Sequence, residues 1–211
     1  MKYNPEIHRR RSIRLKGYDY TQPGAYFITL CTHQRMHLFG DIVDGRMIVN
    51  ERGKIARDEW FKTAEVRPYV KLYEDGFVIM PNHGHGIIWI DDEVGTRRRR
   101  VPTDGTTERF GKPVKGSIPT IIRAYKSAVT YTVNKLENRH CAVLWQKNYY
   151  EHIIRNDHEL NNIGWYIVNN PSNWELDRDN AQNARKLSPP DQVDEYIRDI
   201  EDLVLKLKLE E

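Results

Sequence analysis

Two apolar runs, Gly76-Phe-Val-Ile-Met80 and His85-Gly-Ile-Ile-Trp-Ile90, flank the turn-like Pro81-Asn-His-Gly84 in the middle of the chain. A link this short joins antiparallel strands, because parallel neighbours need a crossover of a dozen or more residues. The runs therefore predict a hairpin of two central strands, and every other element must be arranged around it. Tyr26 to Thr32, β-branched and aromatic after the Gln22-Pro23-Gly24 turn signal, predicts a first strand. Apolar residues at helical spacing from Ile48 to Thr63 (Ile55, Ala56, Trp60, interrupted by Gly53) predict a helix, and Val66 to Leu72 a strand that tolerates Pro68. A second helix is expected from Ser117 to about Leu136, with Pro119 in its first turn and Ile122, Tyr125, Val129 and Val133 on one face. Val143-Leu-Trp145 is a short strand candidate. Asp157 is the expected N-cap of a helix running through Leu160, Ile163, Tyr166 and Ile167 to Pro171. The order predicts an α+β fold: a ferredoxin-like (RRM-like) antiparallel sheet with helices packed on one face.

The 211 residues suit one domain, or one domain with an appendage, and 39% hydrophobic residues supply a core. No apolar stretch approaches the ~18–20 residues of a bilayer crossing, and the basic N-terminus has no apolar segment behind it. Cys31 and Cys141 make neither a disulfide framework nor a CxxC zinc spacing. The expectation is a soluble cytoplasmic protein with no membrane partner.

Charge is unevenly spread. Ser172 to Glu211 holds six Lys/Arg against eleven Asp/Glu, so this acidic segment carries −5 and residues 1–171 carry +8. Basic residues cluster at Arg9, Arg10, Arg11, Arg14 and Lys16, and again at Arg97, Arg98, Arg99 and Arg100 within a Gly/Pro-containing insertion over about 91–116. A positive body suits a polyanion, since each neutralised phosphate releases counterions; a solvated tail and a solvated loop account for the same charge runs. After Pro189-Pro190, an amphipathic helix over about 191–209 carries Val193, Tyr196, Ile197, Ile200, Leu203, Val204 and Leu207. Its stripe can pack back on the domain or pair with a second copy, and its charge can mimic nucleic acid in a basic groove.

Two pairs of residues could do chemistry. His83 and His85 are two apart, so in a strand both imidazoles face the same side and can converge on one cation. Tyr166 and Asn170 are four apart and share one helix face, presenting a phenol and an amide oxygen together. Taken singly, each residue has a plainer reading. The histidines can be turn residues without a metal, Tyr166 a core aromatic beside Trp165 and Ile167, and Asn170 a helix terminator before Pro171.

Met80-Pro-Asn-His-Gly-His85, Trp145-Gln-Lys-Asn-Tyr-Tyr-Glu-His152 with Ile154-Arg155, and Tyr166-Ile-Val-Asn-Asn170-Pro171 occur in that order. Together with Gly24-Ala-Tyr-Phe-Ile-Thr29 they resemble the REP-associated tyrosine transposases, single-tyrosine members of the HUH endonuclease superfamily, over roughly residues 18–175. The resemblance implies His83 and His85 as paired metal ligands, Asn170 as the helix amide completing the metal shell, and Tyr166 as the nucleophile. It implies Mg²⁺ or Mn²⁺, single-stranded or hairpin DNA as partner, a monomer or homodimer, and a bacterial, nucleoid-associated setting. The implied reaction leaves a 5′-phosphotyrosine and a free 3′-OH. Gly84 departs from the pattern, which has a bulky apolar residue between the histidines. Residues 1–171 would then form the catalytic domain and 172–211 the extension.

Arg123, Lys126 and Arg155 are candidate phosphate contacts, or parts of solvated helix faces. Tyr149 and Tyr150 lack an i+4 amide and read as packing or DNA-contacting aromatics, His152 as a structural hydrogen-bonder before a third ligand, and Trp145 and Trp165 as core residues before base-stacking ones. Two other functions fit parts of this pattern: a non-catalytic single-stranded nucleic-acid-binding module, and a metal-dependent hydrolase using activated water.

Overall fold

Strict alternation along the first strand, β1 (Gly24–Cys31), sets up both faces of the sheet: Tyr26, Ile28 and Leu30 point one way, Phe27 and Thr29 the other, and all five are buried. The computed structural model describes residues 18–91, 114–140, 142–180 and 193–210. Arg9, Arg10, Arg11, Arg14, Lys16, Arg97, Arg98, Arg99, Arg100 and Cys141 lie outside the described residues. A hairpin of β2 (Gly40–Val43) and β3 (Arg46–Val49) follows, then α1 (Glu51–Glu65), β4 (Val70–Lys71), β5 (Phe77–Met80) and β6 (His83–Ile90). The remaining elements are α2 (Ile118–Leu136), β7 (Tyr150–Ile154), α3 (Asp157–Asn169) and α4 (Val193–Glu210).

The predicted hairpin is β5–β6, paired from Phe77↔Gly86 to Met80↔His83. β6 lies antiparallel to β1 from Gly24↔Ile90 to Cys31↔His83, and β7 covers the far side of β1 from Ala25↔Ile154 to Thr29↔Tyr150. β4 continues the line of β5 along β6, at Val70↔Ile90 and Lys71↔Trp89. The strand order is thus β7-β1-β6, with β5 and β4 sharing the outer edge of β6. Since β1, β5 and β4 all oppose β6, β1-α1-β4/β5 and β6-α2-β7 are two interleaved βαβ units, the ferredoxin-like arrangement.

The α+β class and the antiparallel sheet are as expected; the helical layer is doubled. Ala56 and Trp60 of α1 and Ile118, Ile122, Tyr125 and Val129 of α2 pack on Tyr26, Ile28, Leu30, Ile88 and Ile90. The opposite face is covered by Ile163, Tyr166 and Ile167 of α3 with Tyr196, Ile197, Ile200 and Val204 of α4, over Phe27 and Ile87. Helices on one face alone would leave Phe27, Ile87 and the two histidines in water, so the second layer completes the burial of both central strands.

Four element boundaries differ from expectation. Ile48 belongs to β3 rather than to a helix, because Asp44 and Gly45 take positive φ (49° and 69°) and close a hairpin. The helix starts after it, where the Asn50 side chain accepts the Gly53 N–H at 3.0 Å. Pro68, which has no N–H for a ladder, leaves only Val70–Lys71 of the expected Val66–Leu72 strand. Val143–Trp145 contributes a single bridge, Thr32↔Trp145, and the strand proper is β7. At α3 the N-cap is Asn156, one residue earlier than expected, and its side chain accepts the Glu159 N–H at 2.9 Å. Among the described residues no helix is long and apolar enough to cross a membrane.

Candidate metal and tyrosine site

β6 enters the sheet at His83, and His83 and His85 both point to the α3 face, fully buried. Each ring is fixed through its Nδ1. His83 Nδ1 donates to Asn82 Oδ1 at 2.7 Å, and His85 Nδ1 meets Oγ1 of Thr29, its register partner on β1, at 2.9 Å. At His83 an amide-oxygen acceptor puts the proton on Nδ1 and leaves the Nε2 lone pair free to bind, the arrangement found behind metal-ligating histidines; at His85 the Thr29 hydroxyl orients the ring. The rings lie 4.4 Å apart. Burial, and then the neighbouring His83, hold His85 well below the usual imidazole pKa, so it is neutral.

Tyr166 and Asn170 come to this pair from above, on the last turn of α3. The Tyr166 hydroxyl lies 3.3 Å from His85 Nε2 and donates to Asp177 Oδ2 at 2.8 Å. Asn170 Nδ2 donates to the same oxygen at 2.5 Å. Burial, and then the charges of Asp177 and Asp179, push the tyrosine up, so the phenol is protonated in this arrangement.

The donor set can be tested against a cation. Among the described residues, His83 Nε2 and Asn170 Oδ1 are buried acceptors without a hydrogen-bond partner. Each such orphan costs ~1–3 kcal/mol unless something binds it. Ligand atoms of His83, His85 and Asp177 all lie within 4.8 Å of one another. Two imidazole nitrogens with carboxylate and amide oxygens suit a divalent ion, so these residues fit a metal.

Asp177 and its neighbour Asp179 are the residues of this cluster that the sequence reading missed. Asp179 N–H donates to Asp177 Oδ1 at 2.5 Å, and the Asp179 carboxylate takes Arg35 Nη1 at 2.7 Å and the Tyr196 hydroxyl at 2.6 Å. Burial opposes its charge, but His83, Arg35, His85 and the Tyr196 hydroxyl together hold this carboxyl well below the usual range. Asn82 joins the two halves of the site: its Oδ1 fixes His83 while its Nδ2 donates to the Asp179 carbonyl at 3.0 Å. Trp174 lies against the His83 ring at 5.9 Å. In sequence, Asp177 and Asp179 are two of many acids in a segment that reads as solvated; only Trp174, an aromatic amid those acids, marked it as one that packs.

The other candidates are placed as follows. Arg123 and Arg155 are exposed. Lys126 is not free: its ammonium donates to the carbonyls of Gln146 (2.5 Å), Lys147 (3.3 Å) and Asn148 (3.5 Å), and burial lowers it to about 8. Tyr150 stacks on Tyr196 at 4.3 Å, Tyr149 packs on the α1/α2 core, and His152 Nε2 is 3.3 Å from Glu159. Trp145 is buried against Phe39 and Tyr125, while Trp165 is partly buried beside α4.

No family model matches the chain. An uncharacterized protein of Haemophilus influenzae is 40% identical over 185 residues, spanning 84% of this chain and 96% of its own. The chain belongs to that protein's family. Among solved structures, a REP-associated tyrosine transposase bound to a REP hairpin shares 19% identity over 85% of this chain and 87% of its own, with a TM-score of 0.47. A transposase-like protein of Deinococcus radiodurans shares 17% identity over 74% of this chain and 97% of its own, at 0.42.

Proposed function

We propose that this protein is a divalent-metal-dependent strand transferase that cuts single-stranded DNA, at hairpin or palindromic repeats, through a 5′-phosphotyrosine on Tyr166. The observation that carries this reading is the convergence of a buried tyrosine hydroxyl with two buried histidines held through their Nδ1 atoms, an amide oxygen without a partner and a carboxylate. A core tyrosine requires none of these neighbours.

His83, His85, Asn170 and Asp177 would hold the ion, Mg²⁺ or Mn²⁺, which would supply charge stabilisation at a phosphate oxygen. The Tyr166 oxygen attacks phosphorus and the bond to the 3′ oxygen breaks. Asp177, which accepts the phenol hydrogen bond, would take that proton, and the departing 3′ oxygen would take one from water to end as a hydroxyl. Reversal by another 3′-OH rejoins strands, with the bond energy kept in the phosphotyrosine, so no nucleotide cofactor is needed. Because Tyr166 is only 3% exposed, the DNA strand needs a path opened to the hydroxyl that leaves Asp177 within reach of its proton. Exposed Arg123 and Arg155, and the basic clusters at 9–16 and 97–100, would contact phosphates along the path to a cytoplasmic, nucleoid-associated target. Residues 1–171 form the catalytic part in this reading, and 172–211 an acidic extension that lends Asp177 to it.

The test is a covalent-adduct assay on pooled single-stranded hairpin oligonucleotides, with Mn²⁺ or EDTA, beside Tyr166→Phe. A metal-dependent adduct that vanishes in the variant is expected. Cleavage that persists in Tyr166→Phe without an adduct would instead make the protein a hydrolase, and binding without any cleavage a nucleic-acid-binding module.

A further inference from the structure

A groove of about 960 Å³ runs between the outer side of α2 and the 138–147 loop, away from the tyrosine site and on the other face of the sheet. Its charged lining is wholly basic: Lys126, Lys135, Arg139 and Lys147. Lys126 is committed to loop carbonyls, but Lys135, Arg139 and Lys147 are exposed. Arg139 has a carboxylate neighbour in Glu137, which it shares with Arg52, so the groove keeps a positive balance. Between these cations stand Tyr131 and Val143, 69% and 61% exposed. Trp145, on the groove wall, has a buried indole N–H without a partner among the described residues. Cations flanking an exposed aromatic are the elements of a single-strand binding groove, in which phosphates meet charge and bases stack.

Backbone bonds tie the groove wall to the strands that carry the histidines. Trp145 bridges to Thr32, and the Gln146 N–H donates to the Cys31 carbonyl at 3.0 Å; Cys31 in turn pairs with His83. The groove wall and the first histidine are therefore separated by two strand spacings, on the order of 10 Å, around one end of the sheet. A second cavity nearer the histidines is lined by Asp41, Asp44 and Glu175 and repels phosphate. We infer that the α2 groove holds the single-stranded continuation of the DNA whose phosphate is presented to Tyr166. This inference rests on the strand-transfer reading for the identity of the strand.

The test uses the full chain and fluorescein-labelled DNA hairpins, bare or carrying a single-stranded extension of about ten nucleotides on either side. The wild type should bind one extended probe more tightly than the bare hairpin. The triple variant Lys135→Gln, Arg139→Gln, Lys147→Gln should lose that gain, and its log K against log salt slope should fall by about 2, at ~0.7 per cation. Tyr131→Ala should lose part of the gain at unchanged slope. The inference is overturned if the triple variant keeps the gain, if its loss is equal on the bare hairpin, or if no probe binds. It is equally overturned if poly-glutamate occupies the groove while extension length has no effect, which would assign the groove to an acidic protein. Adduct formation by the wild type is scored separately. Its failure sinks the strand-transfer reading and leaves length-dependent binding to decide the groove.

Discussion

Asn82 fixes His83 with one end of its amide and the Asp179 carbonyl with the other, so its truncation should weaken metal binding at the proposed site although it is not among the proposed ligands. Asn82→Ala frees the His83 ring and its tautomer, and the Mn²⁺ affinity read by calorimetry should fall by about 10–100-fold. An unchanged affinity would remove Asn82 from the site. Lys126 allows a second prediction, of opposite character. Burial lowers it to about 8 from the ordinary 10.5, so between those pH values the unfolded chain holds the extra proton and the folded chain does not. Its contribution to stability therefore rises with pH across that window and is lost as pH falls through 8. The urea stability of wild type relative to Lys126→Met should increase from about pH 7.5 to about pH 9.5, and a flat difference would contradict the shift. At this scale the sequence was informative wherever spacing decided the matter. His83 with His85, and Tyr166 with Asn170, are juxtaposed by the periods of a strand and a helix. Asp177 was illegible because its approach depends on a turn that no period encodes.

The elements owe their packing to where side chains are missing. A Cβ on Gly86 would sit 2.3 Å from the Trp60 ring, which is itself held between Phe77 at 4.5 Å and Tyr125 at 5.4 Å. Trp60 has nowhere to go, so Gly86→Ala should cost ~1–3 kcal/mol in urea unfolding through overpacking of α1 on β6. Gly164, with nothing within 4 Å of its would-be Cβ, sits mid-helix in α3, and Gly164→Ala should stabilise by ~0.5–1 kcal/mol. Equal effects at the two sites would mean that the close approach at Gly86 does not hold. Gly84 faces the same way as Gly86, and its place in the core is taken up by Ile79, whose Cδ1 lies 3.2 Å from the would-be Cβ. That accounts for a small residue between two histidines. The β5–β6 hairpin and α2 were legible because their apolar patterns are unbroken. β7 was hidden by Glu151 and His152, polar residues buried in an edge strand, and β2–β3, despite its Asp44-Gly45 turn, by a competing helical pattern that took in Ile48.

Across the whole molecule, the question is whether 172–211 is an appendage or part of the body. Contacts cross residue 171 throughout: Tyr196, Ile197, Ile200 and Val204 are buried on α3, Phe27 and Ile87, Asp179 pairs with Arg35, and Asp177 accepts the Tyr166 hydroxyl. The apolar stripe of α4 thus packs back on its own chain, and two of the acids that make the extension negative, Asp177 and Asp179, serve the site. Charge composition could not reveal this, because it counts acids without saying which are buried. Ile200→Ala leaves a cavity under α4 and should cost ~2–4 kcal/mol. What distinguishes the two views is where that loss is registered. If the second helical layer belongs to one cooperative unit, amide-exchange protection should fall together in α4 and in the central strand β6, and urea unfolding should remain a single transition at lower denaturant. Loss confined to α4, with β6 protected as before, would make the extension a separately melting appendage. The tyrosine site would then draw Asp177 from a segment that opens without unfolding the sheet.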